Sequence, residues 1–296
     1  MSRINIEQMR TFLEVVRAGG VRRAAQSLNL TQPAVSARIK ALEDTLAVAL
    51  FHRGAGGMTL TKRGEMLIRY AEQFEHLSEQ VTANIIAPDA IERHLRLGVA
   101  ETVAQSWLPE FIAGLHRRSP KVEIEIDVDV SLNLRTALLE REIDLAILLG
   151  PVSEATVTNI ALPEFDLAWY VAASHPVGGD TALVAQRPVI TYARNTRPHR
   201  ELKRALFERV GPGVQMFSSS SLSAGFRLVE AGLGIAALPV ALGEDLVARG
   251  TLRAFDPGWV PAPLQFTASY LSDPKSHVVE TAAQLALSTA RGDKNI

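Results

Sequence analysis

The sequence predicts an α/β protein in three parts: an N-terminal all-α head carrying a winged helix-turn-helix, a long linker helix, and a two-lobed α/β body. Three observations predict it. Short helical periodicities fill the first fifty residues and end in a glycine-rich hairpin signal, Gly54 to Gly57. A stretch without proline follows, from Thr61 to Ala87, with apolar residues spaced by threes and fours. From Leu95 onward, strand-like apolar runs alternate with helical segments, the pattern of parallel sheets covered by helices. The 296 residues are 47% hydrophobic and 21% charged, enough to fill the cores of two or three such domains.

Charge separates the head from the body. The whole chain carries −1. Residues 1–64, however, hold ten Lys or Arg against four Asp or Glu, a net +6, which leaves −7 on the remainder. A basic head on an acidic body points to a polyanion as the partner of the head alone. The absence of cysteine excludes a disulfide scaffold, a thiolate zinc site and a cysteine nucleophile. Charges at Arg3, Glu7, Arg10, Glu14 and Arg17 interrupt any apolar leader, and no run reaches the roughly 20 apolar residues of a membrane span. A soluble, cytoplasmic protein with no membrane partner is expected.

In the head, Asn5 and Gln8 have capping-box spacing. Ile6, Met9, Phe12, Leu13 and Val16 then form one apolar stripe, ended by Gly19-Gly20. A short second helix carries Val21, Ala24, Ala25 and Leu28, whose small alanines let another helix cross closely. Asn29-Leu30 makes the turn, and Thr31 caps a third helix with Pro33 in its first turn. There Val35, Ile39, Leu42 and Leu46 face inward. Pro33, Ser36, Ala37 and Lys40 face outward, flanked by Gln32 and Arg38. A short, polar, basic surface of this kind fits a DNA major groove.

The stretches Phe12 to Val16, Ala24 to Leu28, Thr31 to Ser36, Leu42-Glu43, Leu50 to Arg53 and Leu60 to Gly64 together resemble the N-terminal signature of LysR-type transcriptional regulators. Order and spacing agree from about residue 4 to residue 65. The chain departs from the common pattern at Gly20-Val21, where members carry Ser-Phe, and at Ala37, where many carry Arg. The resemblance implies double-stranded DNA as partner, with Gln32, Pro33 and Ser36 at base edges or adjacent phosphates. Arg38 and Lys40 lie beside them, and Arg53 in the wing would reach a minor groove. A lone arginine next to a flexible glycine tip suits a narrow groove on physical grounds as well.

Leu67, Tyr70, Phe74, Leu77, Val81 and Ile85 form a coiled-coil seam of about three heptads. A rod over residues 62–87 would run roughly 39 Å at about 1.5 Å per residue. So small a head cannot cover such a seam, and its copy in a second chain is the simplest partner; the alternative is the chain's own body domain. The resemblance implies the same homodimer, and a homotetramer through the bodies. Pro88 breaks the helix and begins a hinge.

In the body, residues 95–99 read as a strand and about 102–118 as one helical stretch. Val122 to Val130 alternates apolar and acidic as a half-exposed strand, about 133–140 is helical, and residues 144–149 form a buried strand. A second lobe repeats the pattern with residues 166–173, 189–192, a helix from about 199 to 210, 215–217, a helix over 222–231, and 234–239. Residues 264–271 can return a strand to the first lobe, and 275–291 is a terminal helix. Domains are set at 1–61, 62–88 and 92–296, with lobe I about 92–162 and 267–296 and lobe II about 163–266. The body is similar to the effector domain of the same regulators, itself shaped like type 2 periplasmic binding proteins, most clearly at Asp144 to Ile147 and Ala231 to Pro239.

Two lobes joined by crossing strands make a cleft lined by strand ends and helix starts, where hydroxyls and free N–H groups receive anions. Candidate effector contacts are Glu101 and Thr102, then Ser131 and Asn133, then Arg194, Thr196 and Arg197, then Ser219 and Ser220. The hydroxyls could equally cap their own helices, and the two arginines could be counter-charges or solvated loop residues. Glu101 either caps its own helix or favours an amine-bearing effector. An anionic or zwitterionic small molecule is expected. No cofactor is implied. The loose glycine pattern Gly232 to Ala237 follows a helix rather than a strand. The seven histidines show no i, i+4 pair for a metal, and Ser218 to Ser221 lacks nucleophile-elbow glycines. An effector-responsive DNA-binding regulator, not an enzyme, is therefore expected. The alternative is a solute-binding or catalytic protein whose head is an interaction module.

Overall fold

The computed structural model describes residues 4–54, 57–81, 94–176, 180–273 and 275–292. They fall into two compact units, Met1–Glu92 and Arg93–Ile296. In the first, helix α1 (Ile6–Arg17) starts at Asn5, whose side chain accepts the Glu7 N–H at 2.8 Å. Only this half of the expected capping box forms. Gln8 turns Oε1 inward, where it lies buried with no hydrogen-bond partner among the described residues. Gly19 ends the helix at φ +66°, with the Gly20 N–H returning to the Val15 carbonyl. Helix α2 (Val21–Ser27) begins at Gly20 without a side-chain cap. That is the local consequence of glycine standing where the resembled family carries serine.

Asn29, at φ +52°, makes the turn into α3 (Gln32–Leu46), where Thr31 Oγ1 accepts the Ala34 N–H. Val35, Ile39 and Leu42 are buried with Met9, Phe12, Leu13, Ala24 and Ala25 in the head core. Strands β1 (Phe51–Gly54) and β2 (Gly57–Leu60) pair antiparallel, Phe51 opposite Leu60 and Gly54 opposite Gly57. Glu43 Oε1 accepts the Leu50 and Phe51 N–H groups at 2.7 and 3.3 Å, tying this wing to α3. Thr61 donates its hydroxyl to the Ala49 carbonyl and accepts the Gly64 N–H, opening α4 (Lys62–Val81). A Cβ on Gly64 would stand 2.3 Å from the Leu50 carbonyl oxygen, so this turn of α4 admits only glycine.

Helix α4 corrects the expected seam in one place. Leu67, with Ile68 and Ala71, packs on the head core, and Glu75 pairs with Arg17 at 2.9 Å. The exposed apolar stripe is instead Met66, Tyr70, Phe74, Leu77 and Val81. Both neighbouring stripes of the helix are apolar, so the heptad alone leaves the seam ambiguous by one residue. Ile85 and the Pro88 hinge lie outside the described residues.

Among its described residues the second unit contains two five-stranded sheets. In lobe I, β3 (His94–Val99) lies between the parallel strands β4 (Glu123–Val128) and β5 (Leu145–Leu149). The late strand β12 (Phe266–Leu271) enters antiparallel between β5 and β6 (Val157–Ala161), returning the chain to lobe I as expected. Asp144 fixes the register of β3 against β5, accepting the Arg96 N–H and guanidinium at 2.9 Å each. The expected helix over 102–118 is two helices, α5 (Glu101–Ala104) and α6 (Leu108–Arg118). Pro109 has no N–H for the Gln105 carbonyl and its ring would crowd that turn, so the helix must restart. Helix α7 (Ser131–Leu139) starts two residues earlier than expected. Strand β4 is also more open than half-exposed, because it is an edge strand, with Ile126 and Val128 both exposed.

In lobe II the strand order is β11 (Leu252–Phe255), β7 (Leu167–Ala172), β10 (Ile235–Pro239), β8 (Val189–Thr191) and β9 (Met216–Ser218). Helices α8 (Asp180–Gln186), α9 (Arg197–Arg209), α10 (Leu222–Glu230) and α11 (Val240–Ala248) complete the lobe. One apolar cluster centres on Trp169, Val189 and Leu202, another on Tyr170, Ile190 and Phe226. The terminal helix α12 (His277–Ala290) packs with α6 into the lobe I core. No described helix is long and apolar enough to cross a membrane.

Candidate DNA-reading helix and inter-lobe cavity

The outer face of α3 is built as the sequence suggests. Gln32, Pro33, Ser36 and Lys40 are exposed, while Val35 and Ile39 one residue away are buried. Thr31 fixes the start of the helix, which places Gln32 and Pro33 in its first turn. Arg38 departs from this picture. Its guanidinium donates to Glu7 at 3.2 Å and to the Thr11 hydroxyl at 3.3 Å, and Thr11 is wholly buried on the inner side of α1. Arg38 thus braces α3 against α1, with one nitrogen committed. The backbone of Arg53 sits in β1 opposite Met58, and its side chain lies outside the described residues.

In the second unit a cavity of about 390 Å³ opens between the lobes, a size suited to a small organic molecule. Six of the nine sequence candidates line it: Glu101, Thr102, Ser131, Thr196, Ser219 and Ser220. Thr102 is buried at the start of α5, and its hydroxyl has no protein partner among the described residues. Ser131 Oγ accepts the Leu149 N–H at 2.9 Å, which aligns the start of α7 with the end of β5 and leaves the hydroxyl proton free to donate. Thr196 caps α9, and Ser219 bonds within its own turn through Ser221.

Three candidates do not reach the cavity. Asn133 donates to both oxygens of Asp129 at 3.0 Å. Arg194 donates to the Ser218 hydroxyl, and Arg197 to the Gly150 carbonyl while facing Glu201. Neither arginine is among the residues that line the cavity. Among the described residues its charged side chains are Glu101 and Asp129, and no Lys or Arg lines it.

Sequence reading missed the apolar walls, Leu149, Ile190, Leu238, Leu264 and Phe266, which strands of both sheets and their crossing segments bring together. It also missed Asp129, although its place at the end of the β4 alternation, two residues before Ser131, is a usable signal. Thr191 lines the cavity and bonds His199 Nδ1 at 2.9 Å. Burial, with the nearby cations Lys203, Arg194 and Arg200, lowers the His199 pKa despite its bond to the Tyr192 carbonyl. Tyr192 is committed too, donating to the Ala237 carbonyl at 3.0 Å, and burial pushes its phenol upward. Glu101 neither caps its own helix nor stands free for an amine; its carboxylate bonds residues 221–223.

Comparison with known proteins matches both units. Residues 6–65 fit the family model for the bacterial regulatory helix-turn-helix protein, lysR family, and residues 88–291 fit the LysR substrate binding domain. The HTH-type transcriptional regulator YofA of Bacillus subtilis is 31% identical over 231 residues, which cover 78% of this chain and 80% of that protein. The regulator GltR of the same organism is 28% identical over 251 residues, 85% of each chain. Full-length OxyR from Pseudomonas aeruginosa shares the fold, with a TM-score of 0.65 at 22% identity over 98% of this chain and 96% of that one. With a helix-turn-helix head and an effector-type body each matched along its length, the chain belongs to the LysR family of DNA-binding transcriptional regulators and is not an enzyme.

Proposed function

We propose that this regulator reads double-stranded DNA with the outer face of α3 and changes its promoter binding or activity when a small molecule occupies the inter-lobe cavity. Residues 1–61 form the DNA-binding part, 62–88 the part that pairs two chains, and 92–296 the sensing part, all acting in the cytoplasm beside the chromosome. The bodies join two dimers into a homotetramer. At the DNA, Gln32, Pro33 and Ser36 meet base edges, and Lys40 and Arg53 meet phosphates or a minor groove. Arg38 acts mainly by holding α3 in place, since one of its nitrogens is bonded to α1.

The cavity carries the effector half of this reading, because unpaired or half-used hydroxyls of Thr102 and Ser131 converge there with the start of α7. An anionic or zwitterionic effector rests its anionic group on those groups, and its remainder faces Thr196 and Ser219. Asp129 beside α7 favours the zwitterion over a dianion, as no basic side chain among the described residues lines the wall. Closing the lobes around the ligand alters the heads only by its differential affinity for the closed form, about 1–3 kcal/mol for typical couplings.

A thermal-shift screen of small carboxylates, amino acids and amines identifies the effector class, amino acids being expected to stabilise the protein most. Calorimetry with the best hit then tests the site. Thr102→Val keeps shape and removes one hydroxyl, and should cost roughly 0.5–3 kcal/mol of affinity while leaving effector-free DNA binding intact. Full affinity in both Thr102→Val and Ser131→Ala would place the ligand elsewhere.

A further inference from the structure

Glu101 is the first residue of α5 in lobe I, yet its carboxylate ends on lobe II. It accepts the N–H groups of Leu222 at 2.5 Å and Ser223 at 3.0 Å, together with the hydroxyls of Ser223 at 2.7 Å and Ser221 at 3.3 Å. Leu222 and Ser223 are the first two residues of α10, so these N–H groups have no acceptor within their own helix. The third, on Ala224, goes to Ser221 Oγ. Gln105, one turn after Glu101, reinforces the contact. Its amide nitrogen donates to Glu101 Oε1 at 2.8 Å and to the Ser223 hydroxyl at 2.5 Å. Two side chains of one lobe are thus bonded to the start of one helix of the other.

We propose that this cluster is a latch: the chain's own carboxylate fastens lobe I to α10 of lobe II and holds the cleft closed. A carboxylate is favoured at a helix start by the partial positive charge there, and bonds to an ionised acceptor are stronger than neutral ones. The closure is steep, because parting the lobes at this point by about 1–2 Å carries the bonds that cross from Glu101 and Gln105 to residues 221–223 beyond hydrogen-bonding distance. Burial disfavours the charge, but the Ser223 and Leu222 N–H groups and the two serine hydroxyls outweigh it and hold the carboxyl below its ordinary value. The latch therefore stays ionised at neutral pH. Its regulatory consequence rests on the reading of this cavity as the effector site: the effector meets a closed form that the protein already populates, and binds more tightly for it. The latch itself does not rest on that reading, and it can be tested with no small molecule present.

Hydrogen exchange of the full-length protein without any ligand makes the test, comparing wild type, Glu101→Ala and Ser221→Ala. Glu101→Ala is expected to speed exchange by roughly tenfold or more at residues 222–223. It should also speed exchange on both cleft walls, residues 128–133 of lobe I and 191–196 of lobe II. Ser221→Ala removes the helix's own cap and the longest of the four contacts to Glu101, leaves the other three in place, and should affect mainly the first turn of α10. Should Glu101→Ala fail to fold, Glu101→Gln keeps the shape, gives up the charge and carries the same readout. Faster exchange confined to residues 222–224 in the Glu101 variant, or none at all, would overturn the latch.

Discussion

Replacing Phe74 and Leu77 together by Asp is expected to turn the proposed dimer into monomers, the largest single effect foreseen for this chain. On α4 the face bearing Leu67, Ile68 and Ala71 is spent on the head core. The next stripe leaves Met66, Tyr70, Phe74, Leu77 and Val81 between 40% and 58% exposed. Five large apolar side chains in a row on a twenty-residue helix need a covering surface, and a second α4 supplies one of matching shape and length. A two-fold interface would bury four introduced carboxylates, each without a partner and each costing several kcal/mol. Sedimentation velocity at micromolar concentration should show the variant as a monomer with a folded head, since both positions lie off the head core. DNA affinity should fall with it, because each head alone reads half a site. A double variant that stays dimeric would remove α4 from the interface.

The second large effect concerns what α3 reads. Ser36 and Gln32 are exposed on a helix whose inner face is fully packed, so shortening them to Ala leaves the head core untouched. Each good base-edge contact is worth about 1–3 kcal/mol of discrimination. The paired variant is expected to bind operator little better than random duplex, while retaining most of its salt-dependent affinity for any DNA. Lys40→Ala should do the reverse, weakening all sequences and flattening the dependence on salt. Thermal unfolding midpoints of the variants within a few degrees of wild type would confirm that the loss lies in recognition. Unchanged discrimination in Gln32→Ala, Ser36→Ala would mean that another element reads the bases.

The head was legible because its signals are local. Asn5, Gly19, Asn29 and Thr31 sit within a few residues of the turns they make, and all four perform the structural role their type suggests. The strand and helix order of lobe I was legible for the same reason, apart from the interruption at Pro109. What escaped is what depends on distant partners. Arg38 looks like an outward cation on a helical wheel, but Glu7 and Thr11, nearly thirty residues upstream, claim it. Arg197 starts a helix and points to the Gly150 carbonyl of the other lobe. Glu101 was noticed as discordant, and its acceptor role on α10 could not be read from a spacing of more than 120 residues. Leu264 and Phe266 close the cavity only because β12 crosses back between the lobes. Cleft residues on helix starts were found, and those fixed by the meeting of lobes were not.

Fluorescence anisotropy tests the central claim most directly: titration of the intact, ligand-free protein into duplexes drawn from the region beside its own coding sequence, against random duplexes of equal length. A regulator that reads bases through α3 should bind one such fragment at least about a thousandfold more tightly than random DNA at physiological salt. Affinity for both should fall steeply as salt rises. The preference should vanish in the Gln32→Ala, Ser36→Ala variant. Equal affinity of the wild-type protein for every fragment, or a preference that survives in that variant, would contradict the account.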